Sequence, residues 1–249
     1  MDLGLIAKNA IVFGASSGLG RAAAYSLASE GCNTTLVARD SEKLKIVSNE
    51  ILKVHKVTSD YFVADLTKDH DVSSLMADIS DRKYDILINN TGGPPPSSPI
   101  DTDNNVLDLF VKSILLNTIR ITNSLIPSMI KKNWGRVITI TSSGVVQPID
   151  NLSVSNTLRP AVTGFMKTLS NQVAEHGITV NTVMPGRITT DRTLEVNTRR
   201  AKSLGISYDE AISISSNEIP IRRYGTPEEF ASVLCFLASE KASYINGSN

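Results

Sequence analysis

The sequence predicts an α/β fold: a single Rossmann-type, doubly wound parallel sheet flanked by helices, with a small helical substrate lid. Three observations predict it. Short β-rich apolar runs alternate with longer stretches of helical period. Several of the short runs are apolar throughout, as strands covered on both faces are. The first run leads directly into a glycine-rich turn and a helix.

In chain order, the apolar runs at 10–13, 34–38, 59–63, 85–89, 136–141 and 179–183 are read as strands. The stretches 19–30, 41–54, 72–80, 106–132 and 158–175 carry the helical period between them. Beyond Pro185 the alternation stops, because 187–225 is helical in composition and has no strand of its own. In an open α/β sheet such an excursion beside the strand ends suits a substrate lid. Thr226-Pro227-Glu228-Glu229 then opens another helix, with Thr as N-cap, Pro at the first position and Glu reaching back to the cap. No repeat or low-complexity linker divides the chain, so 1–249 is read as one domain.

Composition excludes several classes of function. Twenty-five Lys+Arg balance 25 Asp+Glu with no block of like charge, which argues against nucleic acid and an electrostatic membrane anchor. The apolar runs are broken too early for a membrane span, and no cleavable leader is read at the N-terminus. Cys32 and Cys235 stand alone and His55, His70 and His176 are scattered, so no metal site is expected and a reducing cytoplasm is the natural compartment.

The turn Gly14-Ala15-Ser16-Ser17-Gly18-Leu19-Gly20 follows the first strand and opens a helix. Glycines there permit close backbone approach, and the free N–H groups at the helix start attract a pyrophosphate. At the tip of the second strand, Arg39 stands where an acidic residue would bind the 2′-hydroxyl of NAD. Arg39 suits a 2′-phosphate instead, with Ser16 as a second donor, which favours NADP while leaving NAD open. The competing reading pairs Arg39 with Asp40 or Glu42 on the surface.

With this turn, Ala64-Asp65-Leu66, Asn89-Asn90-Thr91-Gly92, residues 138–143 and Pro185-Gly186-Arg187-Ile188-Thr189-Thr190, the chain resembles the short-chain dehydrogenase/reductase family over nearly its whole length. The pattern is that of a divergent branch similar to 3-oxoacyl carrier-protein reductases. The resemblance implies that Gly14, Ser16, Ser17, Gly18, Leu19 and Gly20 contact the pyrophosphate and ribose. It places Asp65 and Leu66 beside the adenine and Asn90 and Gly92 near the sugar of the nicotinamide. Pro185, Gly186, Ile188 and Thr190 then line the carboxamide and phosphate side. It also implies a homotetramer or homodimer packed through the helices 106–132 and 158–175, and a last strand of the sheet where this sequence ends.

The catalytic positions depart from the family. Ser142 matches the carbonyl-orienting Ser, but the usual Tyr is replaced by Ser155 and the usual Lys by Arg159. No sliding of the alignment repairs this, because there is no Tyr between Tyr84 and Tyr208 and no Lys between Lys132 and Lys167. The family's Asn aligns near Ile114, with Asn117 one turn away. Ser155 is a poor proton donor beside a Tyr, whereas Arg159 can still grip ribose hydroxyls. Ser142 can alternatively be a strand-end cap and Arg159 a surface ion pair. Arg187 is a candidate for holding a substrate anion or carbonyl oxygen; the plain alternative for this segment is a surface pair involving Asp191 and an Arg such as Arg192. Gly92-Gly93-Pro94-Pro95-Pro96 either shapes the substrate mouth or ends the strand. The expected function is NADP(H)-dependent interconversion of a small-molecule carbonyl and alcohol, with a cofactor-binding sensor or scaffold as the alternative.

Overall fold

A computed structural model describes residues 2–249. Six parallel strands, β1 (Asn9–Phe13), β2 (Asn33–Ala38), β3 (Ser59–Val63), β4 (Ile86–Asn89), β5 (Gly135–Ile140) and β6 (Ile178–Val183), form one sheet in the order β3-β2-β1-β4-β5-β6. Each lies within about a residue of its expected bounds. Side chains alternate across the sheet, so Ala10 and Val12 enter one core while Ile11 and Phe13 enter the other. Both faces are covered along the central strands, which is why β1 and β4 read as nearly unbroken apolar runs.

The first core packs beneath α1 (Gly18–Ser29), α2 (Ser41–His55) and, much later in the chain, Phe230, Leu234 and Leu237. The second core gathers Leu75 and Ile79 of α3 (Asp69–Ser80) with residues of the long helices that follow β4 and precede β6. Expected as one uninterrupted helix, 106–132 is α4 (Asn104–Phe110), a π-helical turn at Val111–Leu116 and α5 (Asn117–Lys132). By length and composition this run could cross a membrane; here Ile114, Ile121, Leu125, Ile126 and Met129 are core residues.

α6 (Ser153–Val173) starts five residues before the expected 158, so Ser155 and Arg159 occupy its first two turns. The hydroxyl of Ser153 anchors that start against Ser97 Oγ at 2.8 Å and Thr102 Oγ1 at 2.7 Å. The segment beyond β6 forms α7 (Asp191–Leu204) and α8 (Tyr208–Asn217), and the capping sequence at Thr226 opens α9 (Pro227–Ala238). The last residues run along the outer edge of β6, where Gly247 N–H meets Val180 O and Thr182 N–H meets Ser248 O, both at 2.9 Å.

Candidate active site

β1 and β4 are neighbours in the sheet but not in sequence, so the loops leaving them diverge and open a crevice. Glycine is required at the bottom of it. Gly14 and Gly18 have φ of +62° and +53°, and a Cβ on Gly20 would stand 2.3 Å from Gly14 O. A Cβ on Gly14 would stand 2.5 Å from Asn90 Nδ2, so the first turn is pressed against the end of β4. Across the cleft, Thr190 Cγ2 comes 3.5 Å from the Cβ position of Gly18. The structure thus brings Gly14, Gly18, Gly20, Asn90 and Thr190 together.

The start of α1 is left open toward this cleft. Ser17 is its N-cap but makes no side-chain cap bond, and no acidic residue occupies the first turn. By contrast, Asp40, Thr190, Ser207 and Thr226 cap their helices with side-chain acceptors. The unpaired donors of α1, with Ser16, Ser17 and Leu19 around them, fit a phosphate group. A Cβ at Gly92 or Gly186 would meet nothing within 4 Å, so both border open space.

At the tip of β2, Arg39 is exposed and enters no ion pair among the described residues. Asp40, the partner considered from sequence, is engaged instead with Lys43: its carboxylate accepts Lys43 N–H at 3.0 Å and lies 3.9 Å from Nζ. Beyond β3, burial pushes the Asp65 carboxyl up, but the Thr67 N–H and hydroxyl and then the charge of Arg39 outweigh this and hold it below the usual range. Leu66 O accepts Asn117 Nδ2 at 2.9 Å, which directs Asn117 toward the Asp65–Leu66 turn.

At the other end of the cleft, Ser142 is half-buried and its Oγ accepts Gly144 N–H at 3.1 Å. This is the strand-end cap considered from sequence, yet it leaves the hydroxyl proton of Ser142 free to donate. Asn156 pins the neighbouring loop through both Ile149 N–H and Ile149 O. Ser155 is 8% exposed and its hydroxyl has no hydrogen-bond partner among the described residues.

Arg159 is 9% exposed and is not the surface ion pair of the alternative reading. Nη1 donates to Ile140 O at 3.1 Å and Nη2 to Thr91 O at 3.2 Å, tying the ends of β5 and β4 to α6. Burial, and then the charge of Arg192, bring its pKa down to about 10. Beneath it, Asn89, Thr91, Thr118, Thr139, Thr141 and Ile114 line a cavity of about 10 Å³, room for one water at most.

Arg187, expected to face a substrate, points into the α7–α8 segment. It donates to Ser215 O and pairs with Glu218, which also binds Arg200 at 3.0 Å. Arg192 is the guanidinium that faces the strand ends, donating to Pro94 O at 3.3 Å. Its acid is Glu195 at 3.7 Å, not Asp191. Among the described residues no group of three His, Cys, Asp or Glu is placed to hold a metal.

A doubly wound parallel sheet with a phosphate-sized cradle at its switch point defines a Rossmann-type protein. A family model described as enoyl-(acyl carrier protein) reductase matches residues 14–249. The chain is 35% identical over 244 residues to a 3-oxoacyl-(acyl-carrier-protein) reductase FabG of Buchnera aphidicola, covering 96% of this chain and 93% of the relative. It is 31% identical to the NADPH-dependent reductase BacG of Bacillus subtilis over 96% of this chain and 94% of that protein. L-sorbose reductase from Gluconobacter frateurii, solved with NADPH and L-sorbose, superposes with a TM-score of 0.94 at 28% identity, covering 100% of this chain and 95% of that one. The chain belongs to the short-chain dehydrogenase/reductase family, in the branch similar to 3-oxoacyl carrier-protein reductases.

Proposed function

We propose that this chain is an NADP(H)-dependent oxidoreductase that interconverts a small-molecule carbonyl and alcohol through an altered active site. The observation that carries the reading is the glycine cradle against an uncapped α1 N-terminus, where a Cβ at Gly20 would strike Gly14 O. Two relatives described as using or holding NADPH support the choice of cofactor, as does the exposed, unpaired Arg39 beside Asp65.

When bound in this cradle, a nicotinamide cofactor would supply or accept the hydride. Gly14, Ser16, Ser17, Gly18, Leu19 and Gly20 hold the pyrophosphate and ribose, while Arg39 and Ser16 hold the 2′-phosphate. Asp65 and Leu66 border the adenine, and Asn90, Gly92, Pro185, Gly186, Ile188 and Thr190 border the nicotinamide half. Ser142, already polarised by accepting the Gly144 N–H, donates a hydrogen bond that orients the carbonyl oxygen. Arg159 fixes the floor of the site through two carbonyls, and its remaining N–H donors serve the ribose.

Neither Ser155 nor Arg159 is the final proton donor. A Ser hydroxyl is far less acidic than a Tyr, and Arg159, brought down only to about 10, stays protonated at neutral pH. The proton is then supplied by water or by another side chain that reaches the site. Residues 187–225 act as the lid, which Arg187 and Glu218 fasten. The protein works as a cytoplasmic homodimer or homotetramer; its cysteines are free and buried.

Cofactor titration by nucleotide fluorescence, followed by turnover on ketones, aldehydes, quinones and acyl thioesters, tests this. Arg39→Ala is expected to weaken NADPH binding roughly 10-fold to 100-fold, the scale of lost charged hydrogen bonds, with little effect on NADH. Equal binding of the two nucleotides by the unaltered protein overturns the cofactor assignment. Tight NADPH binding without turnover on any substrate overturns the enzyme reading in favour of a sensor.

A further inference from the structure

Two guanidiniums stand along the segment that leaves β4. Arg159 Nη2 donates to Thr91 O at 3.2 Å, and Arg192 Nη2 to Pro94 O at 3.3 Å. The Arg192 Nη2 also lies 3.9 Å from the position of a Cβ on Gly93. Three residues of chain span at most about 11 Å, so both cations border one short rim, and the charge of Arg192 is felt at Arg159.

No carboxylate balances them there. Arg159 bonds two main-chain carbonyls and is in no ion pair among the described residues. Arg192 has only Glu195, at 3.7 Å and half-exposed, on its own helix, an arrangement that contributes little in water. The neighbouring arginines differ: Arg187 and Arg200 converge on Glu218, and Arg223 binds Glu229 at 2.6 Å. Arg192 is 49% exposed and most of its donor fork is free.

The cradle of Gly14–Gly20 meets Thr190 on one side of the cleft, whereas the Arg192 guanidinium has crossed to Gly93 and Pro94, beyond the end of β4 and on the side of Arg159. An anion held there sits against the reacting end of the crevice.

We infer that Arg192 is a specificity-determining residue that selects carbonyl substrates bearing a carboxylate, holding it at the Gly93–Pro94 rim. The inference rests on the reductase reading above and names the substrate class for that site.

The test uses the NADPH-loaded protein and two matched pairs, acetoacetate with methyl acetoacetate and 4-oxopentanoate with its methyl ester. The unaltered protein is expected to favour the acid in kcat/KM. Arg192→Gln is expected to lower the acid-to-ester ratio roughly 10-fold to 100-fold, through KM, because a charge-assisted pair is lost. Arg192→Lys, which keeps the charge without the fork, is expected to restore part of the ratio. An acid-to-ester ratio near unity that Arg192→Gln does not move overturns the inference while leaving the reductase reading intact. So does a loss of NADPH affinity in Arg192→Gln without a change of ratio, which reassigns the residue to the cofactor. A binding arm is independent of turnover: 4-oxopentanoate should quench the fluorescence of bound NADPH, and Arg192→Gln should abolish that binding. Such binding with no turnover of any carbonyl would sustain Arg192 as the carboxylate site and overturn the reductase reading.

Discussion

Replacing Arg159 by Met removes the cation but keeps most of its length, and the structure gives the size of the effect. Two hydrogen bonds from a charged donor, to Ile140 O and Thr91 O at 3.1 and 3.2 Å, are lost. Such bonds contribute about 1.5–3 kcal/mol each. Against this, the fall of the Arg159 pKa from 12.5 to about 10 marks a cost of about 3 kcal/mol for keeping the charge buried, at 1.36 kcal/mol per pKa unit. The variant escapes that cost but strands two carbonyls, each at about 1–3 kcal/mol, relieved only where the small cavity beside them admits a water. Arg159→Met is therefore expected to lose about 2–9 kcal/mol, toward the lower end where a water reaches the two carbonyls, with Tm lower by roughly 5 °C or more for a chain of this size. Arg159→Lys should fall between the two proteins, because one ammonium lacks the planar fork that spans two carbonyls. Urea unfolding followed by circular dichroism measures all three. Stability of Arg159→Met within about 0.5 kcal/mol of the parent, the range of an ordinary surface substitution, would refute the clamp.

The other expectations concern the cradle and the last long helix. Gly20→Ala places a methyl 2.3 Å from Gly14 O and 2.8 Å from Phe13 O, both backbone atoms that cannot swing aside. It should cost about 1–3 kcal/mol and weaken NADPH binding severalfold; unchanged melting and titration curves would contradict the geometry. Glu229, bonded to Arg223 and to the Thr226 N–H, has its carboxyl lowered from 4.5 to about 2. A lowered folded-state value stabilises the protein above pH 4.5 and that contribution is lost as pH falls from 4.5 toward 2. The stability advantage over Glu229→Gln should accordingly shrink across that window in urea midpoints taken at stepped pH, and an advantage that grows on acidification would reverse the assignment.

The sheet was legible because burial on both faces leaves a sequence mark: 10–13 and 86–89 are apolar at every position or nearly so. The cradle was legible because φ above zero and backbone contact restrict Gly14, Gly18 and Gly20 to glycine. The π-helical turn at Val111–Leu116 was not, since its residues keep a helical period while the hydrogen-bond pattern shifts by one. The start of α6 was also misplaced, because its first turn is polar and is fixed by distant hydroxyls of Ser97 and Thr102. Side-chain direction beyond the PGR turn was the largest gap. Arg187 and Arg192 are alike in composition and nearly adjacent, and their distant partners, Glu218 for one and Pro94 O for the other, decide which faces the crevice. The proline-rich segment 94–96 carried the only hint of Arg192, as a rigid run of carbonyls with few N–H groups to bond them.

The two margins of the sheet are not equivalent. Along β6, the outward N–H groups of Val180 and Thr182 are taken by Asn246 Oδ1 and Ser248 O, and the Asn181 amide bridges Ile245 O and the Ser248 N–H. An intruding strand finds that flank already sealed. β3 pairs only inward with β2, and Tyr61 and Val63 remain 39% and 42% exposed beside its free backbone. Free sheet edges of this kind are templates for unwanted pairing, with Asp60 and its partner Arg82 as the local charged guard. The unsealed edge is one five-residue strand, at the opposite end of the sheet from β6.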